Sequence, residues 1–408
     1  MNKKPEVNRR SFLEGSAASI TAMCAPMVAA SSVIGANDSI SMGIIGAGGR
    51  GRSVMRDFLR QDAKFIAMSE IYDAEAAETM NMLDDGVKNY RDYRKLLERK
   101  DIDAVLIATP EHQHCTQLIN AVQAGKDAYC EKPMSNTIEE GYRTVQAVRA
   151  TNQVVQIGMQ RRSSETVMKA KKLISDGKIG KIYMVKAWWN WVLSHPLDNS
   201  PLPHDLDWDA FCYPKKNVPF EPMKYREWRY FWPFSGGNVT DQGTHLMDVV
   251  QWFMDSDPPK SAECFGDVYR MTGAETPDIF TAIYDYGSFQ ASWTLNYTNK
   301  YQSGWTIQFQ GTDGTININD SGAEVYEEPW NMDNPYQMTY DTKPAMKIEG
   351  SIPTAPHTQN FLDCIKSRKN PNAPVEVGHS AVCGPHMANV AWHKKERAYM
   401  RSDLSGTY

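Results

Sequence analysis

Cysteine is scarce in this chain: seven residues in 408, scattered from Cys24 to Cys383 without one C-x-x-C pair. That excludes a disulfide framework and a zinc knuckle. Positive charge is not in excess either. Forty-four Lys and Arg stand against 49 Asp and Glu, a net charge of −5, so no global field draws a polyanion and nucleic acid is not an expected partner. Internal repeats and low-complexity segments are also missing. What remains is an ordinary globular composition, 41% hydrophobic and 23% charged, on a chain long enough for two or three domains of about 150 residues each.

Residues 1–36 differ from the rest. A basic start runs into Asn8-Arg9-Arg10-Ser11-Phe12-Leu13 and then into an Ala/Ser-rich, weakly apolar stretch with no charge between Glu14 and Ala36. This is the layout of a twin-arginine signal peptide, with small-residue cleavage sites after Ala30 and Ala36. A permanent anchor fits less well, because Pro26 interrupts the stretch and a spanning helix wants about 20 strongly apolar residues. Met23 is a poor fit to the small residue expected before a lipidated Cys24. The expectation is export to the periplasm with no stable membrane insertion after processing. Because this route carries folded proteins, a cofactor would be loaded first and held tightly.

Residues 37–160 alternate short apolar runs with helical periodicity. Strands are expected at 41–45, 64–69, 104–108, 128–130 and 153–157, with helices at 52–61, 93–97 and 114–124 and a further one opened by the capping-box spacing of Thr137 and Glu140. Strands in that alternation imply a doubly wound parallel sheet, an α/β domain. Residues 161–408 read as a second α/β domain on a largely antiparallel sheet, with strands near 182–191, 278–286, 290–297, 305–310 and 315–319. Helices are expected near 163–176, 243–254, 357–368 and 379–393, and a surface excursion at 331–353.

Gly46-Ala47-Gly48-Gly49-Arg50-Gly51 satisfies G-x-G-x-x-G directly between the first strand and first helix. Glycines there let the backbone approach a pyrophosphate, which rests on the helix N-terminus. Glu70 ends the second strand, 19 residues beyond Gly51, where a carboxylate accepts hydrogen bonds from ribose hydroxyls and repels a 2′-phosphate. NAD is therefore expected. Asp73 competes for that role, and Arg50 and Arg52 could receive a phosphate, which keeps NADP open.

Thr109-Pro110, His114, Ala124-Gly125-Lys126 and above all Glu131-Lys132-Pro133 carry a resemblance to the Gfo/Idh/MocA oxidoreductases. Leu206-Asp207-Trp208-Asp209, Gly236-Gly237-Asn238, the run from Asp241 to Asp248 and Asn360-Phe361-Leu362-Asp363-Cys364-Ile365 extend it over nearly the whole mature chain. It resembles the exported branch of that family. The resemblance implies a Rossmann domain, a second domain whose open sheet makes oligomer contacts (a dimer or tetramer), and hydride exchange between a nicotinamide cofactor and a sugar or polyol hydroxyl. It also implies that Thr109, Pro110, His114, Glu131 and Lys132 lie along the cofactor, with Lys132-Pro133 beside the nicotinamide.

Hydride transfer from a secondary alcohol needs a base for the hydroxyl proton and a donor to the developing alkoxide. Asp241 and His245, four apart at an expected helix start, share one face, and imidazole titrates in the useful range. Lys132 is the donor, His245 the base, and Asp241 would orient His245 or bind a neighbouring hydroxyl. The same pair would also arise from helix capping and a satisfied core histidine. Trp188, Trp189, Trp191, Trp228, Tyr230 and Trp232 could stack on sugars or fill the sheet core. His112 and His114 lack the companions a metal site needs, so none is expected. The leading expectation is an exported NAD-dependent oxidoreductase acting on a sugar or glycoside, with C3 as the candidate carbon. The alternatives are a glycosidase that uses transient oxidation and elimination, and a non-catalytic sugar or dinucleotide sensor.

Overall fold

A computed structural model describes residues 39–193, 195–328 and 343–408. The twin-arginine segment, and most of the excursion expected at 331–353, lie outside the described residues.

Six short apolar strands form the first sheet: β1 (Ile40–Ile45), β2 (Ala63–Ser69), β3 (Lys88–Asn89), β4 (Ala104–Ile107), β5 (Asp127–Cys130) and β6 (Val155–Ile157). They are parallel in the order β3-β2-β1-β4-β5-β6. Every residue of β4 and β5 is buried, as a parallel sheet covered on both faces requires. The Gly49–Leu59 helix covers one face through Val54, Met55 and Phe58. The Ile138–Arg149 helix starts where the sequence places it, with the Thr137 hydroxyl accepting from the Glu140 N–H at 3.1 Å. One helix of the first domain has no counterpart among the expected elements, Asp73–Met80; its DAEAAETM sequence carries little apolar periodicity.

The second sheet has nine strands: β7 (Ile182–Asn190), β8 (Ser261–Asp267), β9 (Ile279–Asp285), β10 (Gln290–Asn296), β11 (Gly304–Gly311), β12 (Gly314–Asn319), β13 (Gly322–Glu327), β14 (Met346–Glu349) and β15 (Ala398–Tyr399). Their order is β14-β13-β12-β11-β7-β10-β9-β8-β15. Neighbours run antiparallel except β7 and β10. Alternation decides which face is covered: β11 buries Trp305, Ile307 and Phe309 and leaves Thr306 and Gln308 half-exposed. The Gly237–Phe253 helix packs on the apolar face. It begins six residues before the expected 243, so Asp241 and His245 sit inside it rather than at its start. Gly243 is there for close packing, since a Cβ would come within 2.8 Å of Trp293 Nε1.

The chain then returns to the first sheet. Phe361, on the Ala355–Ser367 helix, packs edge-on against Phe58 and Tyr129 with ring centres 6.0 and 5.9 Å away. Ala373, Val375, Val377 and Ala381 join the apolar cluster of Val105, Ile107 and Ile157. The Arg368 fork grips Asp127 at 2.6 and 3.0 Å. Between β7 and the Gly237–Phe253 helix, an excursion reaches across the first domain. Among the described residues no helix is long and apolar enough to cross a membrane.

Candidate active site

The glycine loop follows from sterics. Gly46 has φ +83° and lies against Thr109, whose backbone N a Cβ would meet at 2.7 Å. Gly49 has open space where a side chain would project and Gly48 meets only Glu75 Oε2, at 4.0 Å, so a ligand can approach the backbone at the N-terminus of the Gly49–Leu59 helix. Gly51 departs from the expectation of a ligand contact: it does not line the cavity. A Cβ there would sit 2.3 Å from the Gly46 carbonyl, so its glycine serves loop-to-helix packing.

Glu70 turns back onto that loop. Its Oε2 accepts the Ala47 N–H at 2.8 Å, and its Oε1 accepts from Ile71 and Tyr72 at 2.8 and 2.9 Å. Burial raises its pKa, and the three backbone donors oppose that rise. Asp73, its competitor, is half-exposed and paired with Arg91. Arg52 is not free to take a phosphate: its guanidinium binds the Ala47 carbonyl at 3.0 Å, Glu78 at 2.8 Å and Glu75. Arg50 lines the cavity but pairs with Glu131 at 2.8 Å.

The chemical corner is assembled across 109 residues of sequence. Lys132, preceding a cis Pro133, donates from Nζ to both the carbonyl and Oδ1 of Asp241 at 2.8 Å. Arg229 Nε lies 3.4 Å from the other carboxylate oxygen. Burial works to raise the Asp241 pKa, but the two cations outweigh it and hold it below the usual carboxylate range. Asp241 therefore orients Lys132, where the sequence left it to orient His245 or bind a neighbouring hydroxyl. His245 is buried, and its Nδ1 has no partner. Burial first, then the positive charge of Arg161, drives its pKa well below the ordinary histidine value, which keeps the imidazole neutral.

His114 falls on the first turn of the Glu111–Gln123 helix, with ring nitrogens 2.7 Å from the carbonyls of Pro133 and Thr109. It ties together the loops that follow β4 and β5. Sequence reasoning passed over Glu111. This carboxyl is 1% exposed, its Oε1 has no partner, and Oε2 lies 3.4 Å from the Thr240 hydroxyl. Burial pushes its pKa up to about 8. Only its place behind Asp241, set by the fold, gives it meaning.

One cavity of about 1350 Å³ joins these parts, above the roughly 300–1,000 Å³ of a single-ligand pocket and so with room for a dinucleotide and a second ligand. Gly46, Gly48, Gly49, Arg50, Glu70, Thr109, Pro110, His114, Glu131, Lys132, Asp241 and His245 all line it. Of the aromatic group, Trp228 lines it too, while Trp189 and Tyr230 are buried in the core of the second domain. Among the described residues no group of His, Cys, Asp and Glu could hold a metal.

Residues 40–159 match the model for an oxidoreductase family with an NAD-binding Rossmann fold, and residues 167–317 match the GFO/IDH/MocA C-terminal domain. The chain belongs to the Gfo/Idh/MocA oxidoreductase family. Its first domain is the family's NAD-binding Rossmann domain. Similar proteins include the uncharacterized oxidoreductase YrbE of Bacillus subtilis, 26% identical over 60% of this chain and 62% of that protein. An inositol 2-dehydrogenase of Klebsiella pneumoniae is 32% identical over 36% of this chain and 45% of its own length. The levoglucosan dehydrogenase of Pseudarthrobacter phenanthrenivorans is 27% identical over 56% of this chain and 58% of its own length. The chain thus spans about half of the curated relatives it matches. In fold, a levoglucosan dehydrogenase solved with NADH and L-sorbose superimposes with TM-score 0.69 at 21% identity, over 88% of this chain and 98% of that one. The WlbA dehydrogenase of Bordetella pertussis gives 0.68 at 19%, over 90% and 98%.

Proposed function

We propose that this protein is an exported NAD-dependent oxidoreductase that moves a hydride between the nicotinamide and a hydroxyl-bearing carbon of a sugar or glycoside, with C3 as the candidate position. The observation that carries the reading is the meeting of Lys132, Asp241 and His245 in the same cavity as the glycine loop. The relatives named for inositol and levoglucosan support a polyol or sugar substrate. Export rests on the Arg9-Arg10 leader pattern, and homo-oligomerisation on family membership.

When bound, the nicotinamide supplies the hydride acceptor or donor. The protein's own work is positioning and proton handling. Two N–H groups of Lys132 are taken by Asp241; an ammonium has three, so one is left to donate to the substrate oxygen and stabilise charge as it develops there. His245, kept neutral by burial, takes the hydroxyl proton in the oxidising direction and returns it in the other. Asp241 holds Lys132 in place. The carboxylate of Glu70 selects against a 2′-phosphate and disfavours NADP.

Purified protein incubated with a panel of sugars and glycosides, followed by cofactor absorbance and product mass, tests the proposal. A keto sugar with its glycosidic bond intact is expected. Release of a free aglycone without net redox change would replace the reading with the oxidise-eliminate-reduce glycosidase cycle. Ligand binding without turnover would replace it with a sensor.

A further inference from the structure

A segment of the second domain runs between the two sides of the glycine-loop crevice. In the strand order β2-β1-β4, the glycine loop after β1 lies between Tyr72 beyond β2 and the His112-Gln113 pair beyond β4. The excursion from the second domain is tied to both banks. On one bank Leu206 forms an antiparallel bridge with Tyr72, whose ring also packs edge-on against Tyr225 at 5.0 Å. On the other, His112 Nε2 lies 2.8 Å from the Phe211 carbonyl, and Gln113 Nε2 donates to Ala210 and Phe211 at 2.8 and 2.7 Å. The span between is stiffened locally. Asp207 caps the short Trp208–Cys212 helix through the Ala210 N–H at 3.0 Å. Trp208 stacks on Phe211 and donates from Nε1 to the Val218 carbonyl at 2.8 Å. Leu202, Pro203, Asp209 and Tyr213 of this segment line the same cavity as Gly48 and Glu70.

We propose that residues 202–213 are a strap across the dinucleotide site, which closes over bound NAD and keeps it from exchanging between turnovers. The crevice beyond the carboxyl ends of β1 and β4 is where a doubly wound sheet receives a dinucleotide. Here a peptide pinned at both edges crosses that crevice. Departure of the nucleotide requires at least one bank to open, and each bank holds by backbone pairing or by buried donors on backbone carbonyls. Binding energy is thereby turned into a slow off-rate. The inference rests on the NAD reading above, and its test separates the two.

The experiment uses the full purified protein carrying its nucleotide, isotopically labelled NAD in excess, and rapid gel filtration to follow label entering the protein. The wild type is expected to exchange with a half-time of many minutes or longer. Trp208→Ala, which removes the stacking on Phe211 and the Val218 hydrogen bond at a residue that does not itself line the cavity, is expected to exchange at least tenfold faster. Should that variant fold poorly, Tyr72→Cys paired with Leu206→Cys provides the opposite perturbation. Oxidised, the bridge should slow exchange severalfold below wild type, and a thiol reductant should restore it. Exchange within seconds in a wild type that binds NAD stoichiometrically, or rates unchanged by strap variants, would overturn the strap alone. A wild type that binds no NAD at any concentration would overturn the cofactor reading and the strap with it.

Discussion

Replacing Lys132 with alanine tests the chemical corner most severely, because the same ammonium serves the substrate and Asp241. As a positioned donor to the reacting oxygen, its loss is expected to lower kcat by about 10²–10⁴-fold, which corresponds to about 3–5 kcal/mol of transition-state stabilisation. Breaking a buried ion pair costs about 3–5 kcal/mol when the surviving charge is left alone. Asp241 is not left alone, because Arg229 Nε stays 3.4 Å from its other oxygen. The stability cost is therefore expected at about 1–3 kcal/mol. The sign with pH follows from the depressed Asp241 pKa. Such a group stabilises the fold above its unfolded value near ~3.9 and loses that contribution as pH falls through the folded pKa. Without Lys132 the folded pKa rises toward or past the unfolded value, so the stability that Asp241 itself costs the protein on acidification should be smaller in the variant than in the wild type. Urea denaturation of the two single variants and of Lys132→Ala with Asp241→Ala closes the cycle. The double variant should be more stable than the sum of the singles by about 0.5–3 kcal/mol, because neither charge is then stranded. A kcat within threefold of wild type, or an additive cycle, refutes the reasoning.

Three more outcomes are expected. Glu70→Ala should weaken NAD binding, since the Ala47, Ile71 and Tyr72 N–H groups lose their acceptor, and narrow the preference over NADP, since a negative charge facing a 2′-phosphate is removed; isothermal titration with both nucleotides checks this, and an unchanged ratio contradicts it. Glu111, with its pKa pushed up to about 8, holds a proton in the folded state that the unfolded chain releases near ~4.3. Stability should therefore fall as pH rises from about 4 to 8, and Glu111→Gln should flatten that slope in denaturation curves; parallel slopes would count against it. Gly51→Ala forces a Cβ to within 2.3 Å of the Gly46 carbonyl, so the loop must shift and NAD affinity should drop at least tenfold by titration, whereas unchanged affinity would mean the loop yields freely.

Local chemistry made much of this molecule legible in advance. The β-strand runs of the first domain, the glycine loop, the Thr137 cap and the Asp241-His245 spacing are all short-range patterns, and the structure keeps them. What escaped depends on distance. Nothing near Lys132 says that its partner is Asp241, and nothing near Glu111 says that it is buried behind that pair. The helix expected from 243 starts at Gly237, because burial against the sheet and Trp293 extends it through a glycine-containing segment. The edge strands β3, β14 and β15 are only two to four residues long, too short for alternation to register. The strap became visible only once both banks of the cleft were in place.

The return of the chain onto its first domain bears on the order of synthesis. β6 ends at Ile157, yet one face of that sheet is sealed by Phe361, Leu362 and Ile365 and the other by Val375, Val377 and Ala381. About 200 residues separate the last strand from its covering, which at roughly 5–20 residues per second is about 10–40 seconds of translation. During that interval a parallel sheet waits with apolar surface bare. The cofactor domain thus completes itself only when the chain is nearly finished, and a ribosome stalled anywhere before residue 361 would present a glycine loop on a scaffold unable to hold its shape. Truncation at the C-terminus should accordingly disable nucleotide binding at the other end of the sequence.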